Sequence, residues 1–224
     1  MDRVRLLCQL AALTPILAEQ GLALGHATVE VSGARPAGPG EEGLVSGMVG
    51  ARRREFLAGR CAVRRALWAA GSPAAEEILY EGRRPRLPDD FVGSISHSDG
   101  LAVALAAARL RFRAVGCDLE LRRLPTECAH IVLTGDERAW MQGARTPEEA
   151  EWRLLSVFSA KEAAFKAFAV LLGEAAPTTL LGIAARPVRG GFEARPRHLV
   201  GGRLKVEVRP CAQGAFSWTA AADL

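Results

Sequence analysis

Apolar residues recur at the spacing of a helix face in three stretches of the 224-residue chain, and each stretch predicts an amphipathic helix. The first runs from Leu6 to Ala18, the second from Arg52 to Ala70 and the third from about Glu149 to Leu172. A further helix is expected over Pro125–Met141. These helices are the longest predicted elements of the chain.

Charged residues interrupt the apolar pattern of the third helix. Its core-facing positions are Leu154, Phe158, Phe165, Phe168 and Leu172. Ser159, Glu162 and Lys166 fall three and four residues apart on the neighbouring stripe, so their side chains project together. Lys161 falls inside the apolar stripe. A surface helix with a Glu162–Lys166 pair and a snorkelling lysine explains the helix taken alone.

Alternation of apolar and polar residues predicts short strands between and after the helices. The clearest case is a hairpin, in which Gly93–Ser98 and Leu101–Ala108 are joined by a turn at Asp99 and Gly100. Further strands are expected at Ala27–Val31, Ile78–Tyr80, Val115–Glu120, Thr179–Ile183, Gly191–Ala194, Leu204–Val208 and Phe216–Ala220.

Each half of the chain thus contains a long helix and several strands, and the sequence around Val115 is a reasonable junction. We expect an α+β fold of two similar subdomains, residues 1–113 and 114–224. Each should be a small, mainly antiparallel sheet packed with a long helix. No run is long enough to cross a bilayer, and no clean cleavage site follows the apolar start, so we expect a cytoplasmic protein without a membrane partner.

The composition limits the chemistry. The formal net charge of +4 suits an anionic ligand or an acidic partner. The five cysteines are scattered and contain no CxxC pair, which argues against a disulfide framework and against a zinc site. Reduced thiols in the cytosol are the simple explanation.

Two carboxylates share one face of the predicted strand Val115–Glu120. Period-two geometry turns Asp118 and Glu120 to the same side, roughly 6–7 Å apart, with Gly116 leaving room beside them. A polar outer face of an edge strand would give the same pattern. However, two like charges at this distance raise each other's proton affinity unless a cation intervenes, and such oxygen ligands suit Mg²⁺.

Other polar residues allow two interpretations. His97, flanked by serines at the mouth of the hairpin, is either part of a capped turn or a group near a bound anion. Arg53, Arg60 and Arg64 share a helix face, which is either a solvated surface or a binding surface for phosphate. Spacing alone does not decide either case.

Read together, four motifs resemble those of the 4′-phosphopantetheinyl transferases, of the large, monomeric, pseudo-two-fold class and of the enterobactin-synthase type. They are Arg53–Leu67, Gly93–Ser98, Gly116–Glu120 and Phe158–Lys166, and they occur in the family's order over about the middle half of the chain. The resemblance implies transfer of the phosphopantetheine arm of coenzyme A to a serine of an apo acyl or peptidyl carrier protein, with Mg²⁺ and with release of 3′,5′-ADP.

The resemblance also implies roles for particular residues. Those matching the Mg²⁺ ligands are Asp118, Glu120 and Glu162. Those matching basic or polar contacts to coenzyme A are Arg53, Arg60, Ser96, His97, Lys161 and Lys166, and Arg83 is a further candidate. Glu137 lies in the position of a carboxylate proposed as general base, Glu162 is the alternative base, and Lys166 and His97 would stabilise the departing 3′,5′-ADP. Lys161 is expected to reach an anion across the two subdomains.

Parts of the sequence suggest two other classes of function. A non-catalytic coenzyme A or nucleotide-binding module would keep the phosphate contacts but lose an acidic ligand, and all three acidic residues are present. A nucleic-acid binder is suggested by Arg52-Arg53-Arg54, but the interleaved aromatic residues that stack on bases are missing. We therefore expect no nucleic-acid partner.

Overall fold

The computed structural model describes residues 3–30, 35–72, 77–82, 84–199 and 201–223. In the N-terminal half the elements are α1 (Arg3–Glu19), β1 (Ala23–Thr28), α2 (Pro39–Val45), α3 (Gly50–Ala69), β2 (Tyr80–Glu81), β3 (Arg84–Pro85), β4 (Phe91–Ser98) and β5 (Leu101–Ala108). In the C-terminal half they are β6 (Ala114–Glu120), α4 (Ala129–Val132), α5 (Gly135–Gln142), α6 (Pro147–Leu171), β7 (Ile183–Val188), β8 (Gly191–Pro196), β9 (Leu204–Cys211) and β10 (Gly214–Ala221).

The strands form two main antiparallel sheets with related topology. The N-terminal sheet has the order β1-β5-β4, and the C-terminal sheet has the order β6-β10-β9-β8-β7. β1 corresponds to β6, and the hairpin β4–β5 corresponds to the hairpin β9–β10. Each sheet packs against one long helix, α3 or α6. The α+β fold of two similar halves is confirmed, while the boundary between residues 113 and 114 stays a prediction.

One close approach between strand and helix occurs in both halves. A Cβ added to Gly116 of β6 would lie 1.9 Å from the Ala163 carbonyl oxygen of α6, and one added to Gly25 of β1 would lie 2.1 Å from the Ala62 carbonyl oxygen of α3. Real Cβ atoms do not approach backbone so closely, so only glycine fits these two positions. The glycines set how close each long helix lies to its first strand.

A shared core connects the two halves. Helix α1 buries Leu6, Leu10, Leu13 and Leu17, and these leucines belong to one apolar cluster. The same cluster contains Leu101, Val103 and Leu105 of β5 and Val115, Cys117, Leu119, Phe216 and Trp218 of the C-terminal sheet. Burial of apolar surface therefore holds the two sheets together as well as each sheet to its helix.

Most predicted elements are present, with shifted ends. The long helices, the hairpin and the strand at Val115–Glu120 are confirmed. The single helix predicted over Pro125–Met141 is wrong, because this segment is divided among a 3-10 turn at Thr126–Cys128, α4 and α5. Thr134 interrupts it as the N-cap of α5, where its side chain and that of Glu137 form a capping box.

Three predicted strands are misplaced. The strand predicted at Ile78–Tyr80 begins two residues later, as β2 at Tyr80–Glu81. The strand predicted at Ala27–Val31 begins earlier, at Ala23, and Val31 lies outside the described residues. The strand predicted at Thr179–Ile183 is a 3-10 turn, Leu180–Gly182, and β7 begins only at Ile183. Short apolar runs do not fix their own strand register, which depends on pairing with neighbouring strands.

We expect Gly116→Ala to lower the free energy of unfolding by about 3 kcal/mol, since the added methyl group meets backbone that can move only with the whole helix. Urea unfolding followed by circular dichroism measures this change. Gly135→Ala is the matched control, because a Cβ there meets nothing within 4 Å, and it should change stability by less than about 0.5 kcal/mol. Equal effects of the two changes would contradict this account of the contact.

Candidate active site

Strand β6 presents its acidic residues to helix α6. Gly116 lies against α6, and the alternation of the strand carries Asp118 and Glu120 to the same side, while Cys117 and Leu119 enter the core on the other side. Asp118 is buried and Glu120 is partly buried. The prediction that Asp118 and Glu120 lie on one face of this strand is confirmed.

Lys166 of α6 completes the contact with β6. Its Nζ donates to the Cys117 carbonyl oxygen at 2.9 Å and to Asp118 Oδ1 at 3.0 Å. Burial by itself would lower the pKa of this ammonium, but the adjacent negative charges, above all Asp118, raise it overall. Lys166 is therefore a firmly charged cation beside the carboxylates.

Glu162 lies one turn before Lys166 and close enough to interact with the same groups. Its pKa is raised, mainly by burial and further by the negative charges of Asp118 and Glu120, and Lys166 opposes this shift. A carboxyl group with a raised pKa that lies beside two other carboxylates is typical of a cation-binding site. Glu162 thus lies within electrostatic reach of Asp118 and Glu120, the two other residues predicted to bind metal.

A row of serines on β4 faces these carboxylates from the N-terminal half. Ser96 Oγ donates to Asp118 Oδ1 at 2.9 Å and Ser98 Oγ donates to Glu120 Oε1 at 3.0 Å. Ser96 is thus bonded to an acidic side chain, and its expected contact with a phosphate stays a prediction. His97 alternates to the other side of the strand and is exposed, so its ring is accessible to a ligand.

The acidic residues offer oxygen atoms as ligands, but their side chains do not surround a position for a metal ion. Within the described ranges, no group of three or more His, Cys, Asp or Glu side chains is arranged to hold a metal ion. Among the same residues, Asp118 Oδ2 is buried and accepts no hydrogen bond. A buried acceptor without a partner is costly, and a hard cation with oxygen ligands would satisfy it. The residues present therefore fit Mg²⁺.

Lys161 and Glu137 form a separate, buried pair. Lys161 Nζ donates to Glu137 Oε2 at 2.6 Å and to the Val132 carbonyl oxygen at 2.8 Å, and its side chain is fully buried. The expectation that Lys161 reaches an anion across the two subdomains is wrong, because its anion is Glu137 of the same half. Lys161 can occupy a position in the apolar stripe because Glu137 compensates its buried charge.

Glu137 has no free oxygen in this arrangement. Its Oε2 also accepts from the Thr134 backbone N–H at 2.7 Å, and its Oε1 accepts from the Ala185 N–H of β7 at 2.7 Å. Glu137 therefore ties α5, α6 and the edge strand β7 together. Both oxygens of this buried carboxylate are occupied, so its geometry does not support the predicted role as general base, and Glu162 is the other predicted base.

The predicted arginines of α3 do not form one exposed face. Arg53 is exposed and lines a surface cavity beside α2, whereas Arg64 pairs with the buried Glu41 at 2.6 Å. Arg60 is buried, with its guanidinium carbon 4.4 Å from the ring centre of Phe56 and 4.6 Å from that of Tyr80. Arg83 lies outside the described residues.

A cavity of about 530 Å³ opens where the two halves meet. Its N-terminal wall is formed by the segment from Arg84 to Leu87 together with Arg109, and its C-terminal wall by Val115 of β6 and Val170 of α6. Val115 and Asp118 are three residues apart on one strand, or about 10 Å. The cavity and the acidic cluster thus share β6 and α6.

Sequence reasoning missed three groups near this site. Ser94 and Ser98 were not singled out, although they alternate with Ser96 and so had to share its face. Arg109, at the end of β5, gave no sequence signal, since it follows an apolar strand like any solvated residue. The tertiary structure places it at the cavity, where its side chain donates to the Asp89 and Phe91 carbonyl oxygens.

These observations define a two-subdomain α+β protein with one acidic cluster between its halves. Two family models match the chain: the 4′-phosphopantetheinyl transferase N-terminal domain at residues 40–107, and the 4′-phosphopantetheinyl transferase superfamily at residues 114–197. The chain belongs to the 4′-phosphopantetheinyl transferase family. This confirms the expectation drawn from the four motifs.

Three relatives illustrate the similarity. The 4′-phosphopantetheinyl transferase Npt of Nocardia iowensis is 36% identical over 58% of this chain and 58% of its own length. The 4′-phosphopantetheinyl transferase Svp of Streptomyces mobaraensis is 37% identical over 74% of this chain and 69% of its own. Enterobactin synthase component D of Salmonella austin is 37% identical over 52% of this chain and 48% of its own length. The match thus spans about half to two thirds of these relatives.

We expect Lys161→Met to lower the free energy of unfolding by about 3–5 kcal/mol, because Glu137 is left as an uncompensated buried charge. Adding Glu137→Gln should recover part of this loss, since the amide is neutral and its oxygen still accepts from the Ala185 N–H. A double-mutant cycle by urea unfolding measures the coupling. Additive losses in the double variant would show that the two side chains do not interact as a pair.

Glu162→Gln should stabilise the metal-free protein at neutral pH. A carboxyl whose pKa is raised by folding binds its proton more tightly in the folded state, so stability is lost as the pH rises from the ordinary value of 4.5 through the raised one. The glutamine removes this loss, and the advantage should vanish below pH 4.5. Thermal unfolding with a chelator present measures it.

Glu151→Gln is the control for that measurement, because Glu151 lies on the same helix and pairs with Arg123 at the surface. Surface pairs of this kind contribute little, so this variant should melt like the wild type. If the melting temperature of Glu162→Gln depended on pH as that of the wild type does, the assignment of an unfavourable charge to Glu162 would be contradicted.

Proposed function

We propose that this protein transfers the 4′-phosphopantetheine arm of coenzyme A to a serine hydroxyl of an apo acyl or peptidyl carrier protein and releases 3′,5′-ADP. The observation that carries the proposal is the cluster of Asp118, Glu162 and Lys166 beside a cavity between the two halves. Membership of the family supports it. The activity, the substrates and the partners of the relatives are extended to this chain as part of the proposal.

Asp118, Glu120 and Glu162 would hold the Mg²⁺ ion. When bound, the ion supplies charge neutralisation on the pyrophosphate of coenzyme A, which is the main requirement of phosphoryl-group transfer. The unpartnered Asp118 Oδ2 and the unfavourable charge on Glu162 support this assignment.

Other side chains would bind the phosphates and accept the serine proton. Lys166, beside the carboxylates, would bind phosphate oxygens and stabilise the charge on the departing 3′,5′-ADP. His97 lies on the exposed side of β4, away from the serines that face the cluster, and its proposed contact is with another phosphate oxygen of coenzyme A. The serine oxygen bonds to the phosphorus that carries the arm, and the bond from that phosphorus to the bridging oxygen breaks. Glu162 accepts the serine proton as general base, directly or through a water molecule.

The nucleotide end of coenzyme A fits the cavity beside the acidic cluster. Arg86 and Arg109 line it and supply positive charge for the phosphates of the nucleotide, and Phe91 offers an aromatic surface. Val115 of the cavity lining and Asp118 lie about 10 Å apart along β6, and we propose that the pyrophosphate spans this distance. Arg53 and Arg60 remain predicted contacts outside this cavity lining, and Arg83, which lies outside the described residues, remains a predicted contact.

The carrier protein supplies the second substrate. Carrier domains are typically acidic helical bundles, and the net charge of +4 makes electrostatic attraction sensible. The name of the Salmonella relative suggests siderophore biosynthesis as the process, with secondary-metabolite biosynthesis as its wider class. We further propose a monomeric cytoplasmic enzyme. In the described part of the chain, no helix is long and apolar enough to cross a membrane.

The proposed activity is tested by incubating the protein with coenzyme A, Mg²⁺ and a panel of apo carrier proteins. We expect one carrier at least to gain the mass of a single phosphopantetheine arm, and a chelator to stop the reaction. Coenzyme A binding without transfer to any carrier would instead favour the non-catalytic binding module.

Asp118→Ala and Glu162→Ala should each abolish transfer while the protein stays folded, because each removes one carboxylate of the proposed cation site. Circular dichroism verifies folding, and Glu151→Ala on the same helix should remain active. Full activity in either acidic variant would refute the assignment of these residues.

A further inference from the structure

The hydrogen bonds of the acidic cluster are distributed unevenly between the two oxygens of each carboxylate. Asp118 Oδ1 accepts from Ser96 at 2.9 Å and from Lys166 at 3.0 Å, whereas Oδ2 has no partner among the described residues. Glu120 Oε1 accepts from Ser98 Oγ and from the Arg122 N–H, both at 3.0 Å. In Asp118 one oxygen is held and the other is left for a ligand, and in Glu120 both of these hydrogen bonds hold Oε1.

The serines that hold these oxygens come from the other half of the molecule. Ser94, Ser96 and Ser98 alternate along β4 and are all buried. β4 and β6 belong to different sheets, yet they lie side by side. Serine hydroxyls can donate and accept at once, and they take the place of main-chain pairing here.

Two of the serines also satisfy the open edge of β6. Ser94 Oγ accepts from the Cys117 N–H and Ser98 Oγ accepts from the Leu121 N–H, each at 3.0 Å. Those backbone groups would otherwise be buried without a partner. Ser98 therefore fixes the backbone of β6 and the carboxylate of Glu120 with a single hydroxyl, whereas Ser94 fixes the backbone alone.

We propose that Ser96 and Ser98 are positioning residues that orient Asp118 and Glu120 for the cation, so that the metal site is complete only when the two halves are docked. This inference rests on the proposed function, because it takes the cation site as real. It adds that the N-terminal half contributes to metal affinity without supplying a ligand. Partners that orient metal ligands commonly control affinity in this way.

The chain offers a matched control for this proposal. Ser94→Ala removes a bond between the same two strands but touches no carboxylate. Ser96→Ala and Ser98→Ala each remove a carboxylate partner. Ser96→Thr and Ser98→Thr keep the hydroxyl and should restore what the alanine variants lose.

The measurement is the affinity of each variant for Mn²⁺ alone, followed by electron paramagnetic resonance, with thermal unfolding in parallel. We expect Ser96→Ala and Ser98→Ala to weaken Mn²⁺ binding about 10-fold. Ser94→Ala should lower the melting temperature and leave Mn²⁺ binding near the wild-type value. Transfer activity of the same preparations is measured separately.

The outcomes separate this inference from the proposed function. Wild-type Mn²⁺ affinity in Ser96→Ala and Ser98→Ala, or an equal loss in all three alanine variants, would show that the serines only join the strands, and would overturn the inference even if the wild type transfers the arm. Undetectable Mn²⁺ binding by an active wild type would also overturn it. Serine-dependent Mn²⁺ binding without transfer to any carrier would support the inference and refute the proposed function.

Discussion

The contact between β6 and α6 at Gly116 is the constraint on which the site depends. With a Cβ position 1.9 Å from the Ala163 carbonyl oxygen, the strand and the helix are as close as two backbones can pack. This distance brings Lys166 Nζ to Asp118 Oδ1 and places Glu162 beside the same carboxylate. A bulkier residue at Gly116 would separate the helix from the strand, and with it the lysine from the acid.

The N-terminal half repeats this scaffold without its chemistry. Gly25 packs against Ala62 of α3 as Gly116 packs against Ala163, and Arg65 donates to the His26 carbonyl oxygen as Lys166 donates to that of Cys117. The positions equivalent to Asp118, Glu120 and Glu162 are Ala27, Val29 and Cys61. The N-terminal half therefore supplies part of the cavity wall and the serine hydroxyls, and the C-terminal half supplies the acidic residues of the cluster.

A buried glutamate in the first turn of a short helix stabilises each half. Glu41 of α2 accepts from the Ile78 N–H and pairs with Arg64, and Glu137 of α5 accepts from the Ala185 N–H and pairs with Lys161. In both cases one carboxylate joins a short helix, a long helix and the segment that follows. Both oxygens of each glutamate accept hydrogen bonds, which offsets the cost of burying the charge in the apolar interior.

The sequence by itself determined the long helices, the hairpin and the shared face of Asp118 and Glu120, because these follow from local periodicity. Its motifs also determined the family. The tertiary structure decided the partners of the charged side chains. Lys161 pairs with Glu137 and Ser96 donates to Asp118, and the local sequence pattern indicates neither partner. Such partners lie 24 and 22 residues away along the chain, and only the packing of strands and helices brings them together.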